Sequence, residues 1–237
     1  MKDYLQETRL LDFNHPAIQQ LIADRQWQNL SEQQQILQAY NFVRDEIPFG
    51  FNVNDTLSAS TILQEGLGQC NTKTILFMAL LRGLNIPCRL HGFTIDKQLQ
   101  AGIMNDDVYE AMPDEIVHTW AEVYFNQRWY NMEGLILDLP YLTGLQRKFA
   151  DQTDTFSGYA VATPNLQQPP VYWNGNNDTY IQKEGIVQDF GTFDSPDEFF
   201  AQYTQNMSEE KMRLFGERLR HDINRSIAQI RKSASDT

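Results

Sequence analysis

Few residues in this chain can act as nucleophile or base: two cysteines, Cys70 and Cys88, and four histidines, His15, His91, His118 and His221. Two thiols cannot build a disulfide framework, and no C-x-x-C pair or i,i+4 histidine pair points to redox or metal chemistry. Cys70 stands out by its setting. It follows Gly66-Leu67-Gly68-Gln69, and from Asn71 to Leu84 no proline interrupts a run that includes Ile75, Leu76, Met78, Ala79, Leu80 and Leu81. The pattern predicts a helix that is apolar almost all round, hence buried, with Gly83 and Pro87 as its stop signals. A sulfur at the start of such a helix has its thiolate favoured by the helix dipole and by amides without intrahelical acceptors. Those amides, including that of Cys70 itself, could also hold an oxyanion. Taken alone, the helix start serves a nucleophile and a small buried hydrophobe equally well.

His118 favours the nucleophile. Ile116 to Phe125 is β-branched and aromatic, and alternation puts His118, Trp120, Glu122 and Tyr124 on one face of a strand. The other face, Val117, Thr119, Ala121, Val123 and Phe125, is ordinary core. An ionisable ring beside a carboxylate and two aromatics is not. A general base needs an acceptor on its second ring nitrogen. Asn126-Gln127 predicts a two-residue turn, which sets Phe125 opposite Arg128 and Trp120 opposite Glu133. Glu133 then shares the face of His118 and lies diagonally across from it, whereas Asp138 falls on the opposite face. One residue more or less in the turn would reverse every face. Gln69 could offer its amide to an oxyanion, with hydrogen bonding inside the loop as the simpler use. Trp120 and Trp129 are expected to pack the hairpin, substrate contact by Trp120 being the lesser alternative, and His91 is expected to be structural.

The elements that must position these groups are legible in part. His15-Pro16 opens a helical segment with Ile18, Leu21 and Ile22. Ser31 and Gln34 form a capping box for a second helix carrying Ile36, Leu37, Tyr40, Val43, Arg44 and Ile47, ended by Pro48 and Gly50. A short helix is expected over 59–64 and a strand over 88–94. Residues from about Asp151 to Asp194 are rich in Pro, Gly, Asn, Gln and aromatics and read as irregular; Tyr172, Trp173, Asn176 and Tyr180 could form a wall over a cleft or a packed coat. Two helices are expected over 196–205 and 209–230. The fold class is thus α+β: N-terminal helices, a central buried helix on an antiparallel sheet, and a C-terminal extension. Residues 1–145 are expected to form the core, with 146–237 an irregular and helical extension packed on it.

Composition removes other functions. With 19 basic and 31 acidic residues, the net charge of -12 argues against a nucleic-acid partner. No run of 18 apolar residues and no basic amphipathic helix points to a membrane. MKDYLQETRLLDFNH carries acids and amides where a signal peptide needs an apolar stretch, so a cytoplasmic location is expected. No D-x-D-x-D-G motif suggests calcium, and neither metal nor cofactor is expected. The sequence does not fix the oligomeric state.

Several of these runs together resemble a known family. Ala59-Ser60-Thr61-Ile62-Leu63-Gln64-Glu65-Gly66-Leu67-Gly68-Gln69-Cys70-Asn71, Phe77 to Arg82, Ile86-Pro87-Cys88-Arg89, and His118 to Tyr124 followed by Trp129 and Glu133 resemble the core of the transglutaminase-like superfamily, with its papain-like cysteine nucleophile. The resemblance runs from about Gln33 to Asp138. It implies a cysteine opening a buried helix, a histidine on the next strand and an acid on the strand after. The family's acid is aspartate; Glu133 stands there instead, one methylene longer. Cys88 replaces the usual small residue after isoleucine-proline, which supports a packing role. The implied activity is acyl transfer from a peptide or protein substrate: Cys70 attacks an amide or ester carbonyl, His118 moves the proton and Glu133 holds the imidazole. Hydrolysis by a cysteine protease or amidase is the first expectation. Transfer to an amine, as in a transglutaminase, or a catalytically inactive peptide-binding module are the alternatives.

Overall fold

The computed structural model describes residues 3–234. Helix α1 (Pro16–Asp24) starts with Pro16 in its first turn and the His15 ring accepting from the Ala17 amide. Helix α2 (Glu32–Asn41) opens with the Ser31/Gln34 capping box. It does not run on as a regular helix to Ile47. A π turn over Phe42–Glu46 widens its end, and Phe42, Val43 and Arg44 are all buried there. Three successive inward residues do not fit one stripe of a 3.6-residue period, and an enlarged turn accommodates them. Helix α3 (Ala59–Glu65) is capped by Ser58 and stopped by Gly66 in the left-handed region.

Helix α4 (Cys70–Gly83) is the centre of the molecule. Every residue from Asn71 to Arg82 is buried, as the all-round apolar pattern requires. It packs against α1, α2 and α3 on one side and the sheet on the other. That sheet begins with β1 (Cys88–Asp96), and after helix α5 (Asp106–Ala111) comes β2 (Glu115–Phe125), then β3 (Arg128–Met132). Phe125 pairs with Arg128, so the two-residue turn has the expected register. Asn126 and Gln127 both have positive φ, the conformation that a tight hairpin of this twist needs.

The remaining elements are helix α6 (Leu139–Lys148), a small hairpin of β4 (Phe156–Gly158) and β5 (Val161–Thr163), strand β6 (Ile186–Phe193), and helices α7 (Pro196–Phe200), α8 (Glu209–Leu214) and α9 (Arg220–Lys232). The main sheet is antiparallel in the order β3-β2-β1-β6. Strand β6 corrects the reading of 151–194 as irregular, and the extension is not only irregular and helical. Its signal is weak because it is a mostly exposed edge strand, with Gly191 and two register shifts breaking the alternation. The helix expected over 196–205 stops at Phe200, and residues 201–208 form an irregular strap before α8. Phe199 explains the docking of α7: a Cβ on Gly92 of β1 would come within 2.2 Å of its ring. Helix α9, expected over 209–230 as one piece with α8, is offset from it by a π turn at Phe215–Leu219 and packs on α6. No helix among the described residues is long and apolar enough to cross a membrane.

One buried charge in this core makes a measurable signature. Lys73 on α4 is fully buried, its ammonium donating to the carbonyl of Arg44 at 3.1 Å. Burial, opposed by the pull of Asp138 and Asp45, brings its pKa down to about 7 from 10.5. Between those values the unfolded chain holds a proton that the folded one has released, so stability rises with pH across the window. Lys73→Met should flatten a rise of up to about 1.4 kcal/mol per pH unit above neutrality, and should be most favourable to stability below pH 7. Urea midpoints of both proteins across this range check it; a difference between them that does not change with pH would refute it.

Candidate active site

The loop before α4 is locked before the helix begins. Gln69 is its N-cap residue: its amide donates to Thr72 Oγ1 at 3.0 Å and its side-chain oxygen accepts from the Asn52 amide at 2.8 Å. Asn52 also accepts from Thr72 Oγ1 at 2.6 Å and donates to the Leu67 carbonyl at 3.1 Å. The Gln69 side chain donates to Asp55 Oδ1 at 3.0 Å, so this amide serves the loop network in the resting structure. Cys70 is thereby held at the first position of α4, half-buried, on the wall of a cavity.

The next residue joins the helix to β2. Asn71, 1% exposed, donates to the carbonyl of Val117 at 3.1 Å and accepts from Thr119 Oγ1 at 3.0 Å. It therefore clasps both chain neighbours of His118. Thr74, one turn on, donates to the Thr119 carbonyl at 3.2 Å. Strand β3 pairs with β2 only as far as Ala121 opposite Met132, so the first half of β2 has no strand on this side. Helix α4 and its side chains occupy part of that gap.

His118 and Glu133 are both completely buried, with His118 Nε2 2.8 Å from Glu133 Oε1. Glu133 does not face Trp120 across a ladder, because pairing ends one residue earlier; its longer side chain reaches the ring from the turn after β3. The other carboxylate oxygen accepts from the amides of Ile181 at 2.8 Å and Gln182 at 2.9 Å. Gly134 lets this crossing chain come close: a Cβ there would lie 2.6 Å from the Tyr40 hydroxyl and 2.8 Å from Val171 Cα. With Nε2 donating to the carboxylate, His118 Nδ1 is the ring nitrogen left to accept a proton. It is buried and has no hydrogen-bond partner among the described residues.

The structure thus brings His118 and Glu133 into contact, and ties Cys70 to the same strand through its neighbour Asn71, with no hydrogen bond between Cys70 and His118. Burial first, and then the charge of Asp55, push the Cys70 thiol well above its ordinary range, while the amides of Asn71 and Cys70 itself pull it the other way. The thiol is neutral at rest. Cys88 is also pushed up by burial and lies within 3.5 Å of the Met78 carbonyl, in a packing role. Asp138 caps α6 and pairs with Arg231 at 2.7 Å, away from the imidazole.

In two places the packing reading is the one that the contacts support. Trp120 is a packing residue rather than a substrate contact: it is 4% exposed, its indole N–H donates to Asn131 at 3.0 Å, and its ring lies against Phe93 and Tyr180. Tyr172, Trp173, Asn176 and Tyr180 do not wall the cavity; Trp173 packs on Phe125 and Tyr130 of the hairpin instead. The wall comes from the loop before α4, from β1 and β2, and from Phe200, the strap and the helices beyond it. His91 is held between Glu122 at 2.7 Å and Asp189 at 2.8 Å, linking β2 and β6, a structural place. Asn71, Asp55, Gln205 and the amides of Ile181 and Gln182 escaped the sequence reading. Asn71 had a signal in its position after Cys70; the others contribute through tertiary placement alone. No group of three or more His, Cys, Asp or Glu side chains among the described residues is arranged to hold a metal.

Residues 20–134, from α1 to the turn that carries Glu133, match the family model of the transglutaminase-like superfamily. That core belongs to the superfamily. Among solved structures, that of a proposed cysteine protease from Cytophaga hutchinsonii aligns with 82% of this chain and 47% of its own, at 14% identity and a TM-score of 0.46. This chain spans about half the length of that one. No curated protein sequence matches.

The Glu133 cluster makes its own prediction. Glu133→Ala leaves the His118 N–H and two buried amides without an acceptor, and each such loss costs about 1–3 kcal/mol. Denaturant midpoints should show destabilisation of more than about 3 kcal/mol, with Glu133→Gln between it and wild type. A change under about 1 kcal/mol for the alanine variant would contradict the arrangement.

Proposed function

We propose that this chain is a cysteine hydrolase acting on a peptide or amide bond, with Cys70 as nucleophile, His118 as proton carrier and Glu133 as the group that orients the ring. The observation that carries the reading is the buried His118–Glu133 pair, whose free Nδ1 lies on a strand position clasped by the residue after Cys70.

The chemistry follows from the protonation states. The resting thiol is neutral, so its proton leaves as the sulfur attacks the carbonyl, passing to His118 Nδ1. A carbon–sulfur bond forms, and the oxyanion is met by the amides at the start of α4. The imidazolium, held through Nε2 by the Glu133 carboxylate, gives its proton to the leaving nitrogen as the carbon–nitrogen bond breaks. A thioester remains. Water, giving a proton to the same Nδ1, then attacks it, and the departing thiolate takes that proton back. An amine in place of water would make the reaction a transamidation.

The test is acylation. A nitrophenyl ester and an alkylating probe, each offered near neutral pH, should both modify Cys70 and spare Cys88. His118→Ala should slow modification of Cys70 by about 10²–10⁴-fold. Equal, slow labelling of both cysteines would overturn the reading in favour of an inert peptide-binding module. Release of the acyl group to an added primary amine in preference to water would replace hydrolysis by transfer.

A further inference from the structure

The cavity beside Cys70 has a volume of about 290 Å³, at the small end of ligand pockets and ample for one large side chain. Phe49, Phe51, Ile95, Ile116, Met212 and Phe215 are among its apolar lining. Among the described residues, no lysine, arginine or histidine lines it, and Asp55 is the one charged residue that does. Asp55 is already engaged by the side-chain amides of Gln69 at 3.0 Å and Gln205 at 3.1 Å. An anionic group entering here would find no cation, and a cationic one would have to take Asp55 from both amides. A large apolar group gains from every wall, and a methionine there adapts to its shape.

A second observation concerns the strand edge next to His118. Val117 of β2 turns its N–H and C=O toward the cleft, where β3 does not reach. The side-chain carboxamide of Gln205, on the strap, meets both: the Val117 amide donates to its oxygen at 3.1 Å, and its nitrogen donates to the Val117 carbonyl at 3.2 Å. A carboxamide that exchanges two hydrogen bonds with one strand residue reproduces what a paired residue of an antiparallel strand would do. Gln205 lies in a run without helix or strand, so no ladder fixes it there.

We infer that the substrate is an extended peptide whose acyl residue carries a large apolar side chain, seated in this cavity, and whose backbone takes the place of the Gln205 carboxamide on Val117. The inference deepens the acyl-transfer reading by naming the class of substrate. The order of events is set by geometry. The peptide displaces Gln205, pairs with the edge of β2, and thereby lays a carbonyl between Cys70 and His118. The strap closes again when the product leaves.

Binding, read without turnover, tests it. In C70S, capped tripeptides differing only at the central residue should rank Phe above Gly and Asp by at least about 30-fold, on the scale that apolar pockets discriminate. Gln205→Ala in the same background should tighten Phe and Gly peptides by a common factor, because the edge no longer has to be vacated. Met212→Glu, at a partly exposed wall position on α8, should abolish the preference for Phe while leaving the melting temperature near that of C70S. Equal affinity for the Phe and Gly peptides, or a Gln205→Ala variant that binds them no better, would overturn the inference. Neither result touches the labelling of Cys70, so failure here and failure of the catalytic reading are separable.

Discussion

A carboxylate with no access to water, bonded to an imidazole with no access to water, is the constraint around which this molecule is arranged. Such a carboxylate persists only when both of its oxygens have donors, since the desolvation of an unpartnered charge exceeds what one hydrogen bond returns. Glu133 meets that condition with the amides of Ile181 and Gln182, which lie almost fifty residues further along the chain. The crossing segment has to pass close to Gly134, and its own anchors are Tyr40 and Arg44, which both donate to the Val171 carbonyl. The π turn after α2 brings Arg44 to that position. One buried acid therefore ties together the N-terminal helices, the hairpin and the C-terminal extension.

The same economy governs the start of α4. A helix buried on all sides cannot leave its first turn unsatisfied, and here each polar side chain of that turn has a tertiary partner. Thr72 bonds Asn52, Asn71 bonds Val117 and Thr119, and Thr74 bonds Thr119. These bonds keep the helix from rotating or sliding against β2. The position of the sulfur relative to the imidazole is consequently set by backbone-level contacts on either side of both residues, with no bond between the two groups themselves.

Asp55 is a second carboxylate that bears on the sulfur, in the same direction as Glu133. It lies at the rim of the cavity, raises the thiol, and holds Gln69 and Gln205 by their side-chain amides. The cavity is thus covered: the Cys70 thiol beside it is neutral, the Val117 edge is bonded to the strap through Gln205, and the apolar wall includes Met212 and Phe215.

How much of this was legible beforehand follows the range of the interactions. The buried helix behind Cys70, the capping box at Ser31, the two-residue turn and the faces of β2 are written in local pattern, because hydrophobic period, cap chemistry and turn conformation act within a few residues. The face argument also pointed to Glu133 rather than Asp138, although pairing stops at Met132 and the carboxylate reaches His118 from the turn beyond it. Strand β6, the strap and the widened turn at Phe42–Glu46 were illegible, because edge pairing, docking of α7 through Phe199 and the demand for three inward residues arise from partners distant in the chain. The sequence by itself determined which side chains could do chemistry and on which elements they ride. Only the tertiary structure decided what surrounds them, because desolvation, an orphaned ring nitrogen and a covering carboxamide are properties of groups brought together from far apart.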